Sequence, residues 1–378
     1  MRLKQLETNV ESGMPAGRPR VWILASPHAG DNTQLRALAA ALGWPSEEKH
    51  LVYRSSEAAL RFLSLPTLAG VNLAASIAIA PPWPDLVLCS GRGAESVAFW
   101  IRARNPGTRI VFVGTPWAPL ARFDLVVTTP QYRLPAASNV LHNLLPLHDV
   151  TPERLAAEAK HWEPRLAHLP RPLTAVLVGG DSGPYHFTPQ AASRLGHAVT
   201  ELARAEGGSL LVTTSARTGA AAAQALQEAI GVPSYVHRWA RDGGDNPFHA
   251  FLGLAQRIVV TADSISMMSE AIASRKPVLL FDIEDGPYAM RGEKGQAGKS
   301  GDLPPISWRG RSASATLFRL LINHAPPRFS RDLRIVQRDL VTGGYAQWLG
   351  EASSFTPPPP VPDELGRTVA RIRQLFGL

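Results

Sequence analysis

The feature that most constrains this chain is a repeated alternation. Apolar runs of three to six residues are each stopped by a connection rich in Gly, Ser, Thr or Asp, and helical periodicity follows. The first run covers residues 21–26, with a loop His28-Ala29-Gly30-Asp31-Asn32 and a helix expected over 33–42. Residues 85–89 form the second, with Ser90-Gly91-Arg92-Gly93 opening a helix that ends near Asn105-Pro106-Gly107. Two more strands are expected at 109–113 and 124–128. A charged helical stretch over 152–166 and the Pro-rich Leu169-Pro170-Arg171-Pro172 read as a linker. The pattern then restarts at 174–178, 210–212, 258–260 and 278–282. Strands that are apolar on both faces belong in a parallel sheet covered by helices on each side. The sequence therefore predicts an α/β protein with two doubly wound parallel-sheet domains.

Length agrees, because 378 residues exceed the roughly 250–300 at which a single core stops growing. The expected division is a flexible extension over 1–17, an N-terminal α/β domain over 18–165 and a C-terminal α/β domain over 166–350. A Pro-rich spacer and terminal helix follow over 351–378, with Leu365, Val369, Ile372 and Phe376 on the helix face that packs back.

Composition narrows the function classes. The single cysteine, Cys89, excludes an intrachain disulfide scaffold and fits a reducing compartment. The first 20 residues lack the apolar core of a secretory signal. The most apolar stretch, residues 68–80, is too short for the roughly 20 residues that span a bilayer. A net charge of +8 favours anionic neighbours, among them phosphorylated small molecules and anionic membrane. The basic residues are scattered without a helix-turn-helix, zinc-finger or RNP pattern, so no nucleic-acid partner is expected. A cytoplasmic protein, peripheral on the inner face of the membrane, fits these features.

In open α/β sheets, ligands bind beyond the carboxyl ends of the strands. Small residues there let backbone N–H groups approach a phosphate, and helix N-termini add partial positive charge. The best such loop is Gly179-Gly180-Asp181-Ser182-Gly183; Thr213-Thr214-Ser215-Ala216-Arg217 is next, with Arg217 as a phosphate counter-charge. Each also reads as an ordinary βα turn. In Thr261-Ala262-Asp263-Ser264-Ile265-Ser266-Met267-Met268-Ser269-Glu270, a helix from about Ser264 puts Met267 and Met268 toward the core and Ser266, Ser269 and Glu270 on the other face. A face with two serines and one carboxylate suits a ligand, and Glu270 is placed to accept both hydroxyl protons of a ribose diol. A solvated Glu is the alternative.

In the first domain, His28 and Asp31 are candidates for the base that deprotonates an acceptor hydroxyl. A helix-capping Asp and a His satisfied by backbone weigh equally. The loop Asp242-Gly243-Gly244-Asp245-Asn246-Pro247-Phe248 lacks the ligand spacing of an EF-hand and reads as a turn reaching the ligand, so no metal is expected. Ser90-Gly91-Arg92-Gly93-Ala94-Glu95-Ser96 has Gly-x-Gly but a serine at the third glycine position of the dinucleotide fingerprint. No Walker loop, nucleophile elbow or His-Glu-x-x-His motif occurs.

The ordered strings Val178-Gly179-Gly180-Asp181-Ser182, Leu211-Val212-Thr213-Thr214-Ser215-Ala216-Arg217-Thr218, Gly244-Asp245-Asn246-Pro247-Phe248 and Val260-Thr261-Ala262-Asp263-Ser264-Ile265-Ser266-Met267-Met268-Ser269-Glu270 resemble the bacterial branch of the mitochondrial fission Elm-type family. Gly30-Asp31-Asn32-x-Gln34 and Ser90-Gly91-Arg92 are similar too, so the likeness covers roughly 20–345. The resemblance implies a GT-B-like fold akin to the N-acetylglucosaminyltransferase of peptidoglycan synthesis. By that analogy Glu270 contacts the ribose, and Ser264, Ser266 and Ser269 lie beside the diphosphate.

The residues expected to hold the donor are Gly179, Gly180, Asp181, Ser182, Thr214, Ser215, Arg217, Asn246, Asp263, Ser264, Ser266, Ser269 and Glu270. The expected activity is sugar transfer from a nucleotide-diphosphate donor to an envelope glycan or lipid acceptor, with no obligatory metal or cofactor. A non-catalytic scaffold and a nucleotide-sugar epimerase are the competing readings.

Overall fold

The computed structural model describes residues 17–26, 29–54, 65–240, 244–291, 303, 306–326, 330–351 and 359–378. The expected extension lies almost wholly outside them, as do His28 and Asp242.

The first sheet starts with β1 (Val21–Ala25), fully buried, and α1 (Ala29–Leu42) follows. Next come β2 (Ser46–His50), β3 (Leu86–Ser90), α2 (Arg92–Arg104), β4 (Arg109–Val113), β5 (Leu125–Thr128) and β6 (Val140–His142). All six strands lie in one sheet of order β2-β1-β3-β4-β5-β6, with parallel pairing of β1 to both β2 and β3. Helix α1 begins four residues before the expected Thr33, so Asp31 and Asn32 belong to its first turn and not to a loop. β2 was not anticipated, because its sequence, SEEKH, has no apolar run; as the outermost strand it needs none.

The second sheet is built from α3 (Pro152–Leu166), β7 (Leu173–Leu177), α4 (Pro189–Arg204), β8 (Ser209–Thr213), α5 (Ala220–Ala229) and β9 (Ser234–His237). It continues through α6 (Phe248–Leu254), β10 (Arg257–Thr261), α7 (Ile265–Ala273), β11 (Val278–Phe281), α8 (Ala313–His324), α9 (Leu333–Thr342) and β12 (Gln347–Trp348). The strand order is β12-β11-β10-β7-β8-β9, and β7, β8, β10 and β11 are almost entirely buried. From β7 the chain builds outward through β8 and β9, then returns to the other side with β10. The order reverses between β7 and β10, and an open α/β sheet places its ligand crevice at such a switch point.

Two parallel sheets of this kind are the composition of a GT-B-like fold. The chain forms two compact units, 1–127 with 368–378, and 128–367. The expected boundary at 165/166 therefore moves upstream. Helix α3 does not act as a linker: its amphipathic face packs on α6, where a Cβ on Gly253 would lie 2.6 Å from the carbonyl oxygen of Leu155. The terminal helix α10 (Glu364–Leu375) packs back as anticipated, and it does so on the first unit, with Phe376 edge-on to Trp44 at 5.1 Å between centroids and Ile372 fully buried.

Candidate functional site

In the second unit, the connections after β7, β8 and β10 interlock. Gly179 N donates to Thr261 Oγ1 (2.8 Å), and Gly180 N donates to Asp263 Oδ2 (3.0 Å). Arg217 pairs with that carboxylate at 2.9 Å and donates to the carbonyl of Asp181 at 2.8 Å. The hydroxyls of Ser215 and Thr218 both donate to the carbonyl of Gly179. Burial pushes the Asp263 carboxyl upward, and the Arg217 guanidinium opposes that shift. The glycines are needed for this closeness. A Cβ on Gly179 would sit 2.3 Å from Asp263 Oδ2, and one on Gly180 2.1 Å from the carbonyl oxygen of Arg217.

This locking occupies several residues that the sequence reading assigned to a phosphate. Arg217 is engaged by Asp263. Asp181 accepts from Phe187 N (2.8 Å) and faces His186 Nδ1 (3.3 Å). Ser182 accepts from Arg331 (2.7 Å), and Thr214 from Trp239 N (2.8 Å). Asn246 accepts from Phe248 N (3.1 Å), and its neighbour Asp245 pairs with His161 and Arg165, both at 2.9 Å.

Helix α7, which starts at the switch point, is different. Its N-cap residue Ser264 makes no side-chain cap, so the first-turn amides keep their outward donors. Ser266 and Glu270 are one turn apart and partly buried, which puts them on one open face. The expected partition of the helix needs two corrections. Ser269 is not on that face: it is buried and donates to the carbonyl of Pro146 at 2.7 Å. Met267, expected in the core with Met268, is only partly buried. The helix is covered on two sides, by the sheet and by the segment before α3, so a single apolar stripe does not describe it.

That segment brings groups to Glu270 that the sequence reading missed. Ser269 anchors Pro146, and Asp149 follows three residues later, just before the α3 N-cap Thr151. Arg154, in the first turn of α3, binds one oxygen of Asp149. His249, the second residue of α6, places Nε2 at 3.6 Å from Asp149 Oδ1. Glu270 closes the group; one ligand atom from each of Asp149, His249 and Glu270 lies within 4.8 Å of the others. Burial and then the like charge of Asp149 raise the Glu270 carboxyl to about 8, with Arg154 opposing. Asp149 moves the other way, to about 2, chiefly through His249 and Arg154. The Glu270 carboxyl group has no hydrogen-bond partner among the described residues.

In the first unit, Asn32 makes a reciprocal pair with the backbone of Ser26 (2.7 and 2.8 Å), and Asp31 accepts from the Ser26 hydroxyl at 3.0 Å. Asp31 thus has a structural partner at the end of β1. Glu95, in α2, is buried and accepts from the backbone N–H groups of Trp117 and Ala118.

The family model for mitochondrial fission ELM1 matches residues 29–296. The chain belongs to that family. One relative is the mitochondrial fission protein ELM1 of Arabidopsis thaliana, 28% identical over 219 residues, covering 52% of this chain and 51% of that one. The chain thus spans about half the length of this relative. A Rickettsia prowazekii protein named uncharacterized protein RP120 is 23% identical over 294 residues, covering 69% and 82% respectively. Among solved structures, the UDP-GlcNAc 2-epimerase of Neisseria meningitidis bound to UDP-GlcNAc is similar, with a TM-score of 0.46 and 12% identity over 94% of this chain and 100% of that one.

Proposed function

We propose that this ELM1-family protein holds a nucleoside diphosphate sugar at the carboxyl ends of β7 and β10 and transfers the sugar to an envelope glycan or lipid. The observation that carries the reading is Glu270. It is a partly buried residue whose carboxyl group has no hydrogen-bond partner among the described residues, on an uncapped helix that begins at the topological switch point.

The uncapped N-terminus of α7 offers backbone donors and positive potential to a diphosphate, and Ser264 and Ser266 offer hydroxyls beside it. Glu270 lies about 6 Å beyond Ser266 along the axis and accepts from the ribose hydroxyls. As the sugar leaves, the charge developing on the diphosphate is met by fixed donors that need no reorganisation. Arg217 supports this end of the sheet by holding Asp263, and is not the primary phosphate contact. The base for the acceptor hydroxyl is assigned in this reading to His28 or Asp31.

Among the described residues no helix is long and apolar enough to cross a membrane. The first unit exposes Val52, Leu65, Leu73 and Ile77, which supports a peripheral contact with the anionic membrane surface.

The test is calorimetric titration of UDP, GDP, ADP and CMP into the protein in EDTA. One nucleoside diphosphate is expected to bind selectively. Glu270→Ala should weaken it by about 10-fold, the equivalent of roughly 1.4 kcal/mol for hydrogen bonds to a neutral carboxyl group. No binding by any of the four overturns the reading in favour of a non-catalytic scaffold.

A further inference from the structure

The cluster beside the open face of α7 joins two carboxyl groups and an imidazole. Asp149 Oδ1 and His249 Nε2 are both sealed from solvent, and neither has a hydrogen-bond partner among the described residues, although they face each other at 3.6 Å. They form an ion pair longer than a hydrogen bond, and a buried polar atom without a full hydrogen bond costs about 1–3 kcal/mol, which a shared cation would offset. The third member, Glu270, brings a second carboxyl group near the first. Two carboxyl groups and an imidazole nitrogen thus converge on one centre, where His249 pairs with Asp149 and a divalent cation would draw in all three.

We propose that Asp149, His249 and Glu270 form a binding site for a divalent transition-metal ion of the zinc or manganese type. The donor set gives the class. One nitrogen with two carboxylate oxygens suits zinc, a borderline ion, and its oxygens suit the harder manganese, whereas calcium takes six to eight oxygens and copper(I) prefers sulfur. Zinc lies about 2.0–2.1 Å from such donors, which puts tetrahedral donors roughly 3.3 Å apart. The Asp149–His249 separation of 3.6 Å is already near that, and Glu270 closes by a rotamer adjustment.

The surroundings are arranged for the task. Arg154 takes the other oxygen of Asp149 and orients the carboxylate, as outer partners of metal ligands do. The Ser269–Pro146 bond and the α3–α6 packing hold the two backbone segments in place. Three protein ligands leave a coordination position open for water or an incoming hydroxyl.

The site shares Glu270 with the nucleotide reading but does not rest on it, because metal binding is measured without nucleotide and nucleotide binding in EDTA. The test uses the EDTA-stripped, dialysed full chain titrated with zinc, manganese and cobalt. Binding of one equivalent at micromolar Kd or tighter is expected, with a cobalt visible band of low-symmetry N/O coordination. X-ray absorption on the zinc form should show one imidazole among oxygen donors. Asp149→Asn and His249→Gln should each weaken zinc at least 100-fold, with circular dichroism and Tm of the metal-free protein confirming the fold. Sub-stoichiometric or millimolar binding, a shell of several imidazoles, or unchanged affinity in both folded variants overturns the site.

Discussion

Replacing Gly180 with alanine tests the loop lock that organises the second unit. Its φ is +147°, a region that only glycine occupies readily, and the new Cβ would lie 2.1 Å from the Arg217 carbonyl oxygen and 2.7 Å from Thr218 N. Ordinary contact starts near 3.4 Å, so the Arg217 backbone would have to retreat by about 1.3 Å. It is not free to do so: Asp181 N donates to the same carbonyl at 3.3 Å, and the Arg217 guanidinium is paired with Asp263. Backbone strain of about 1–3 kcal/mol and overpacking of about 1–3 kcal/mol partly overlap, giving roughly 2–5 kcal/mol. For a domain of this size that is a fall in Tm of about 4–20 °C. Differential scanning fluorimetry measures it, with Gly219→Ala as control, since its φ is −63° and open space surrounds it. A loss in Gly180→Ala no greater than the control's would refute the claim that these glycines are there for inter-loop packing.

Three further outcomes follow from particular contacts. Arg217→Ala leaves the buried Asp263 carboxylate without its counter-charge and should cost about 2–4 kcal/mol, below the fully buried limit because Arg217 is 40% exposed. The double variant with Asp263→Asn should recover part of that in urea unfolding, and strict additivity would refute the coupling. Ser269→Ala strands the Pro146 carbonyl and should lower stability by about 1–3 kcal/mol while weakening zinc roughly 10-fold through the displaced Asp149; unchanged values of both would remove Ser269 as an anchor. Cys89 is fully buried and its thiol is pushed far above the ordinary range. Iodoacetamide should therefore leave it unmodified in the native protein at pH 8 and alkylate it in denaturant, as mass spectrometry would show.

Much of the fold was legible because parallel strands buried on both faces have to be apolar along their whole length. β1, β3, β4, β5, β7, β8, β10 and β11 each carry that signature. β2, β6 and β12 did not: the first is polar, and the others have only three and two residues. β9 was missed for a related reason, since SYVH at a sheet edge is only partly buried along its length. Strand order, and with it the switch point, follows from crossovers that no local pattern records. In the candidate site, Glu270 and the connection after β10 were legible as a polar face on a helix of otherwise apolar character. Ser269 was misplaced because its partner, Pro146, lies 123 residues away. Asp149 and His249 carry no mutual signal: each sits beside a helix start, and only the packing of α3 on α6 joins them.

The most direct test of the central claim is a crystal structure of the EDTA-treated protein with the nucleoside diphosphate that binds best in calorimetry. The account predicts the diphosphate on the first-turn amides of α7 and the ribose hydroxyls within hydrogen-bond distance of Glu270. A nucleotide seated away from α7, for example in the roughly 770 Å³ cavity lined by Arg194, Phe281, Asp285 and Trp348, would contradict it.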